Sequence, residues 1–425
     1  MIDRSARVWG ATALVLGSLT AAGVARAEDC TIPVGLVMEL TGPAGEYGQA
    51  GAKSVEMAFR DLNQAGGAQG CRIVTDTRDS HSTGTLAVDA AQQLVQVRHV
   101  PVIIGGIISS VTIPILTAVT APAKVVQVSP ASSSPTLTAL GREGKTNGIF
   151  FRTITSDALQ GVAAARYALD KGLKKISIIH VNNDFGVNLA QEFSAAYKAL
   201  GGTIVTTVPY NEKQPSYDAE ATAAQSGDPE GLYLVSTPVD GATIARAWIA
   251  GGGPQKFLLN DGMNSQDFIA SVGPQYLNEA YGTSSGTAPT ASTAYFNAGY
   301  KAFSGLDPAS PAADRSYDAG AIVGLAIAAA PSREPLAIRD AIARVVDPAG
   351  APIGAGPEEF GKALTLLKQG ETIRYEGVIG PIRFDRYGDI TGPFRLWKIT
   401  DGVVTTTGEM GTDTVNALKA KIATP

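Results

Sequence analysis

Cysteine, histidine, cationic excess and long apolar runs are all scarce in this chain. Its 425 residues include only two cysteines and three histidines. His81, His99 and His180 show no metal-ligand spacing and no CxxC occurs, so neither a zinc site nor a dithiol redox site is expected. His180 falls inside an apolar strand pattern and reads as structural. A P-loop and a G-x-S-x-G elbow are both missing, which argues against a phosphate-cradling loop and against a nucleophile elbow. The nearest approach to a dinucleotide fingerprint, Gly354-Ala355-Gly356-Pro357-Glu358-Glu359, lacks its third glycine and a preceding strand. It reads as a turn before a helix. The formal charge is −5, which argues against nucleic acid or anionic lipid as partner. No cofactor and no metal are expected.

What is present begins with a leader. Arg4 and Arg7 precede an apolar stretch from Val8 to about Val24, and Ala25-Arg26-Ala27 follows as an A-x-A pattern. The stretch is short for a membrane span, so residues 1–27 read as a signal peptide cleaved after Ala27. Removing its net +2 takes the remaining chain to about −7. Cys30 lacks a lipoprotein-type pattern before it, so a soluble, exported, periplasmic protein is expected. In that compartment Cys30 and Cys71, which open the first two predicted strands, are expected to pair. Charged residues make up 17% and hydrophobic ones 44%, a globular composition whose length suits two lobes.

Periodicity predicts an α/β chain. Strands are expected at 32–38, 72–76, 102–104 and 125–128, with helices at 51–63, 87–97 and 111–119. A second series starts near Phe150. It has strands at 175–181, 203–208, 232–236 and 257–259, and helices at 160–171, 189–200, 217–225 and 242–250. Later come helices at 317–330, 335–345 and 359–368, and strands at 382–384 and 394–399. Two doubly wound, Rossmann-like lobes are the simplest reading.

Ligands in such sheets sit beyond the carboxyl ends of strands. Three loops of the first series carry suitable groups: 39–48 with Tyr47, 105–112 with Ser109 and Ser110, and 129–135 with Ala131, Ser132 and Ser133. Hydroxyls and backbone N–H groups at two adjacent strand ends suit a carboxylate, although each serine alone is also a cap or turn former. The second series offers Phe185 after its first strand, Thr237 after another and Asp261 after a third. Asp261 is either an ammonium counter-ion or a plain Asp-Gly turn residue.

Taken in order, several short motifs resemble one family. They are Leu40-Thr41-Gly42-Pro43 with Tyr47-Gly48, Asp61-Leu62-Asn63 with Gly66-Gly67, Ile104-Gly105-Gly106 with Ser109-Ser110, and Ser129-Pro130-Ala131. The series continues with Asp184-Phe185-Gly186, Ser316-Tyr317-Asp318-Ala319, and Gly380-Pro381 with Phe384-Asp385 and Gly388-Asp389. The chain resembles the leucine/isoleucine/valine-type, or type I, periplasmic binding proteins of ABC importers. The resemblance implies two lobes joined by three crossovers near Thr153, Gly282 and Gly380. Lobe one would hold 28–152 plus 283–379, and lobe two 153–282 plus 380–425.

It also implies roles for single residues. Ser109 would bind an α-carboxylate, Ala131 would contribute a backbone contact, and Ser133 would serve both carboxylate and ammonium. Asp261 would pair with the ammonium, and Tyr47 and Phe185 would form walls. Phe185 and Thr237 stand where tyrosines are common, which changes pocket volume and polarity. The expected function is clamping of a branched-chain or other apolar amino acid by a monomer, for delivery to a membrane permease. Rival readings are a sensor of the same fold, a binder of an amide, urea or aromatic acid, and a secreted α/β enzyme with a hidden acid/base pair.

Overall fold

The computed structural model describes residues 1–2 and 30–423. The leader reading falls almost wholly outside these residues. No helix among the described residues is long and apolar enough to cross a membrane.

The first sheet contains β1 (Thr31–Met38), β2 (Arg72–Asp79), β3 (Val102–Gly105), β4 (Val126–Ser129) and β5 (Phe150–Arg152), in the order 2-1-3-4-5. All its pairings are parallel. The second sheet contains β6 (Lys175–Val181), β7 (Thr203–Tyr210), β8 (Gly231–Val235), β9 (Phe257–Leu259) and β10 (Ala280–Ser285). Strands β11 (Ala351–Ile353), β12 (Ile373–Gly377) and β13 (Gly380–Pro381) form a small separate sheet. The second sheet is completed by β14 (Phe394–Thr400) and β15 (Val403–Met410), giving the order 15-14-10-9-8-6-7. Read from the other edge, 7-6-8-9-10 repeats the winding of the first sheet, and the antiparallel β14–β15 hairpin is added beside β10. Each sheet therefore has its own switch point, between β1 and β3 and between β6 and β8, where a crevice opens at the strand ends.

Apolar side chains explain the layering. The near-continuous hydrophobic run of β1 is buried on both faces, as a central parallel strand requires. One face of the first sheet packs on helices Gly45–Gln64, Ala313–Ala329, Pro335–Val345 and Pro357–Lys368. The other face is covered by Ala87, Leu94, Val111 and Ile115. Gly320 lets Ala313–Ala329 approach Gly45–Gln64 closely, since a Cβ there would lie 3.1 Å from the Ala58 Cβ. The late helices thus return to the first sheet. Both faces of the second sheet carry their own cores, one around Trp248 and Trp397, the other around Phe193 and Tyr233.

The Cys30–Cys71 disulfide is present, with Cα atoms 4.8 Å apart. Several boundaries differ from expectation. Phe150–Arg152 does not open the second series; it extends the first sheet, parallel to β4. Ile382–Phe384 is not a strand. Ile382 and Ile390 are buried in the core of the first sheet, and Phe384 meets Phe151 edge-on at 5.1 Å. The helix expected from Gly51 begins at Gly45, and the one expected from Leu189 begins at Asp184, so Tyr47 and Phe185 stand in first helical turns.

Candidate functional site

The strand ends of the two sheets face each other across one cavity of about 540 Å³. Of the nominated residues, Tyr47, Ser109, Ala131, Ser133, Phe185, Thr237 and Asp261 line it. Ser110 and Ser132 do not. The Ser132 hydroxyl is buried, donating to the Ile107 carbonyl at 3.0 Å and lying 2.6 Å from Thr112 Oγ1. It ties the two serine loops together instead of facing the cavity.

The loop carrying Ser109 is pinned from beneath by Glu39, which sequence reasoning did not single out. Glu39 is fully buried, and its carboxylate accepts from Ile107 N–H at 3.0 Å and Ile108 N–H at 3.1 Å. Burial pushes its pKa up to about 7, although the two N–H donors oppose the rise. Gly106 is required beside it, because a Cβ there would fall 2.5 Å from Val111 Cγ1 and 2.9 Å from the Glu39 Oε1. Ser109 Oγ accepts from Ser134 N–H at 3.2 Å, which leaves its own proton to be donated toward an anion in the cavity.

Ser133 connects the two lobes. Its hydroxyl donates to Asp157 Oδ2 at 2.9 Å, and its carbonyl accepts from Asp157 N–H at 2.9 Å. Asp157 is fully buried at the start of the helix Asp157–Asp170, and its Oδ1 has no partner among the described residues. Burial holds its carboxyl well above the usual range, the nearby Asp261 charge adds to this, and Ser133 and Arg152 oppose it. Asp157 was missed because the apolar spacing placed its helix three residues late. Asp261 itself follows β9, with Asn260 donating to its Oδ1 at 3.4 Å. Asn260 is held in turn by Ser236 N–H, which it accepts at 2.9 Å. Thr237 is buried, and its hydroxyl has no partner among the described residues. This end of the cavity thus combines the Ser109 hydroxyl of the first lobe with Asp261 of the second, while Asp157, whose ionisation burial opposes, is tied to Ser133.

Closure is visible in direct contacts between lobes. The Tyr47 hydroxyl donates to the Gly262 carbonyl, and Ser265 Oγ donates to Glu46 Oε2 at 2.5 Å. Phe185 is half-buried on the opposite wall, at the end of a helix capped by Asn183, whose Oδ1 accepts from Phe185 N–H and Gly186 N–H, both at 3.1 Å.

At its other end the cavity meets Asp314, Arg315 and Arg395, none of which was foreseen. Arg315 lies in the first turn of the helix Ala313–Ala329, and Arg395 is the second residue of β14.

The chain is 26% identical over 395 residues to the Leu/Ile/Val-binding protein BraC3 of Rhizobium johnstonii, an alignment covering 92% of this chain and 97% of the relative. It is 25% identical over 383 residues to the chemotactic signal transduction system substrate-binding protein BasB of Halobacterium salinarum, covering 88% of each. Its fold is that of the leucine-binding protein LivK of Thermotoga maritima, with a TM-score of 0.76 at 21% identity over 90% of this chain and 99% of that one. This is the type I periplasmic binding fold, in which two α/β lobes enclose the ligand cleft. The family model for periplasmic binding proteins matches residues 31–403, and the chain belongs to that family.

Proposed function

We propose that this chain is an exported solute-binding protein that clamps an amino acid, branched-chain or otherwise apolar, and delivers it to an ABC permease. The observation carrying this is the meeting of Ser109 and Ser133 from one lobe with Asp261 from the other across a single cavity. The Ser109 hydroxyl, whose proton is uncommitted, suits an α-carboxylate, while Asp261 and the accepting lone pairs of Ser133 suit an α-ammonium, so only a molecule bearing both groups satisfies both lobes at once. Thr237 supplies a free hydroxyl, Ala131 a backbone contact, and Tyr47 and Phe185 the apolar walls. Relatives named for leucine, isoleucine and valine support the same ligand class.

Lobe one would hold the first sheet and the late helices, and lobe two the second sheet. The packing of Ile382, Phe384 and Ile390 on the first core favours placing the third crossing after Ile390, not at Gly380. The pairing of β10 with β9 and β14 favours placing the second after Ser285. The leader, cleaved after Ala27, would deliver the chain to the periplasm as a monomer. The likeness to BasB favours a second reading, in which the closed form reports to a chemotaxis receptor instead of a permease. Pull-down with each membrane partner separates the two.

The test is calorimetry on ligand-stripped protein with leucine, isoleucine and valine, followed by amides, urea and aromatic acids. Asp261→Asn is expected to weaken amino-acid binding roughly 10- to 100-fold, the scale of one lost charge-assisted hydrogen bond. Unchanged affinity would remove Asp261 from the clamp.

A further inference from the structure

A cavity of about 150 Å³ already holds a benzene ring. The 540 Å³ here exceeds what an aliphatic side chain fills. The unexplained space leads to Arg395. At that end Arg315 is fully engaged: its guanidinium donates to both Asp314 oxygens at 3.0 and 3.1 Å and to the Ser285 carbonyl. Arg395 differs. Its guanidinium has no hydrogen bond and no ion pair among the described residues, yet the residue lines the cavity and is only part-exposed. Asp314 is the acidic group nearest in effect, and its charge is taken by Arg315. Directly across the ladder from Arg395 stands Ser284. Its Oγ accepts from Trp397 Nε1 at 2.9 Å, and its own proton has no acceptor among the described residues. Two donors at one ladder position therefore line the cavity with no acceptor among the described residues.

Topology fixes the distance to the other polar end. Asp261 follows β9, Ser284 lies at the end of β10, and Arg395 lies near the start of antiparallel β14. Two strand spacings separate the Asp261 and Arg395 backbones, about 10 Å. A cavity negative at one end and positive at the other suits a molecule charged in the opposite sense. A part-buried guanidinium without a partner is held at a cost that a bound anion would offset. Burial holds its pKa below the usual guanidinium value, opposed by the Asp314 charge and reinforced by that of Arg315.

We propose that Arg395 and Ser284 form a distal anion subsite, so that the cleft takes amino acids whose side chain ends in a second carboxylate. This rests on the amino-acid reading above and sharpens it: an apolar amino acid fills the near half, and an acidic one of sufficient length fills the whole. Arg395 would then be a specificity-determining residue.

The experiment compares 2-aminoadipate with norleucine by calorimetry on the stripped full-length mature protein and on Arg395→Gln and Arg395→Lys. The acid is expected to bind at least ~10-fold more tightly than norleucine, the scale of a charged hydrogen bond. Arg395→Gln should collapse that ratio toward unity, and Arg395→Lys should retain most of it. Each variant is checked for an unchanged circular dichroism spectrum; if Arg395→Gln fails this check, Ser284→Ala, which removes the second donor, takes its place and should reduce the ratio. Norleucine binding without preference for the acid, or a ratio untouched by substitution, overturns the subsite and leaves the amino-acid reading standing. Binding of neither compound at millimolar concentration overturns both.

Discussion

Glu39 shows how one buried acid governs a binding loop. It carries the backbone of Ile107 and Ile108, and hence Ser109, while its own pKa is raised by burial to about 7. Asp318 is similar: burial raises it to about 7 although Ile379 N–H, Val378 N–H and the Tyr375 hydroxyl donate to it. In the unfolded chain both ionise near pH 4, so between about 4 and 7 the folded state binds more protons. Stability therefore falls as pH rises through that window and levels off above it, by roughly 3 to 4 kcal/mol for each group. Denaturant titrations at pH 5 and pH 7.5 are expected to show the lower stability at 7.5. Glu39→Gln, which keeps an acceptor for the two N–H groups, should shrink the difference; an identical pH profile would show that Glu39 is already ionised at pH 5.

At the scale of elements, β1 and β2 are joined where they begin by Cys30–Cys71, a separation of 41 residues. Closing a loop of that length stabilises the fold by about 4 kcal/mol in the chain-entropy model. Reduction, or Cys30→Ala with Cys71→Ala, is expected to lower unfolding free energy by that order, read from denaturant midpoints. The pairing itself was legible from two lone cysteines at predicted strand starts. Helix starts were less so. Gly45–Gln64 opens with Gly-Glu-Tyr-Gly, and Asp184–Ala199 with Asp-Phe-Gly, first turns that carry little apolar period. Strand β10, Ala280–Ser285, escaped notice because Ala-Tyr-Gly-Thr-Ser-Ser has neither alternation nor a β-branched run. It is made a strand by its neighbours β9 and β14. Conversely, Ile382 and Phe384 have strand chemistry but spend it on packing against the first core. In the candidate site, the serine loops and Asp261 could be read because they follow strands. Asp157 and Arg395 reach the ligand region only through tertiary placement, which no local pattern encodes.

Across the whole molecule, the lobes touch through side chains that need no ligand. Glu46, on the helix that also carries Tyr47, accepts from Ser265 of the opposite lobe, and burial raises its pKa while the Ser265 hydroxyl opposes the rise. Such contacts bias the open–closed equilibrium toward closure in advance of binding. Glu46→Ala should weaken ligand affinity about 5-fold, the equivalent of one modest hydrogen bond of about 1 kcal/mol, without removing any ligand contact. Small-angle scattering of the ligand-free variant should show a larger radius of gyration than the parent; equal radii would mean that the contact forms only after closure.

The same disulfide bears on when this chain becomes a folded protein at all. Its two thiols stay apart in a reducing compartment and pair in an oxidising one. A precursor still inside the cell therefore lacks about 4 kcal/mol, a large share of the 5–15 kcal/mol that typically separates folded from unfolded chains. If the chain is exported as proposed, the oxidising side of the membrane would supply this link only once the chain has crossed. On the export reading proposed above, the bond between Cys30 and Cys71 would form only after translocation and would brace the sheet from then on.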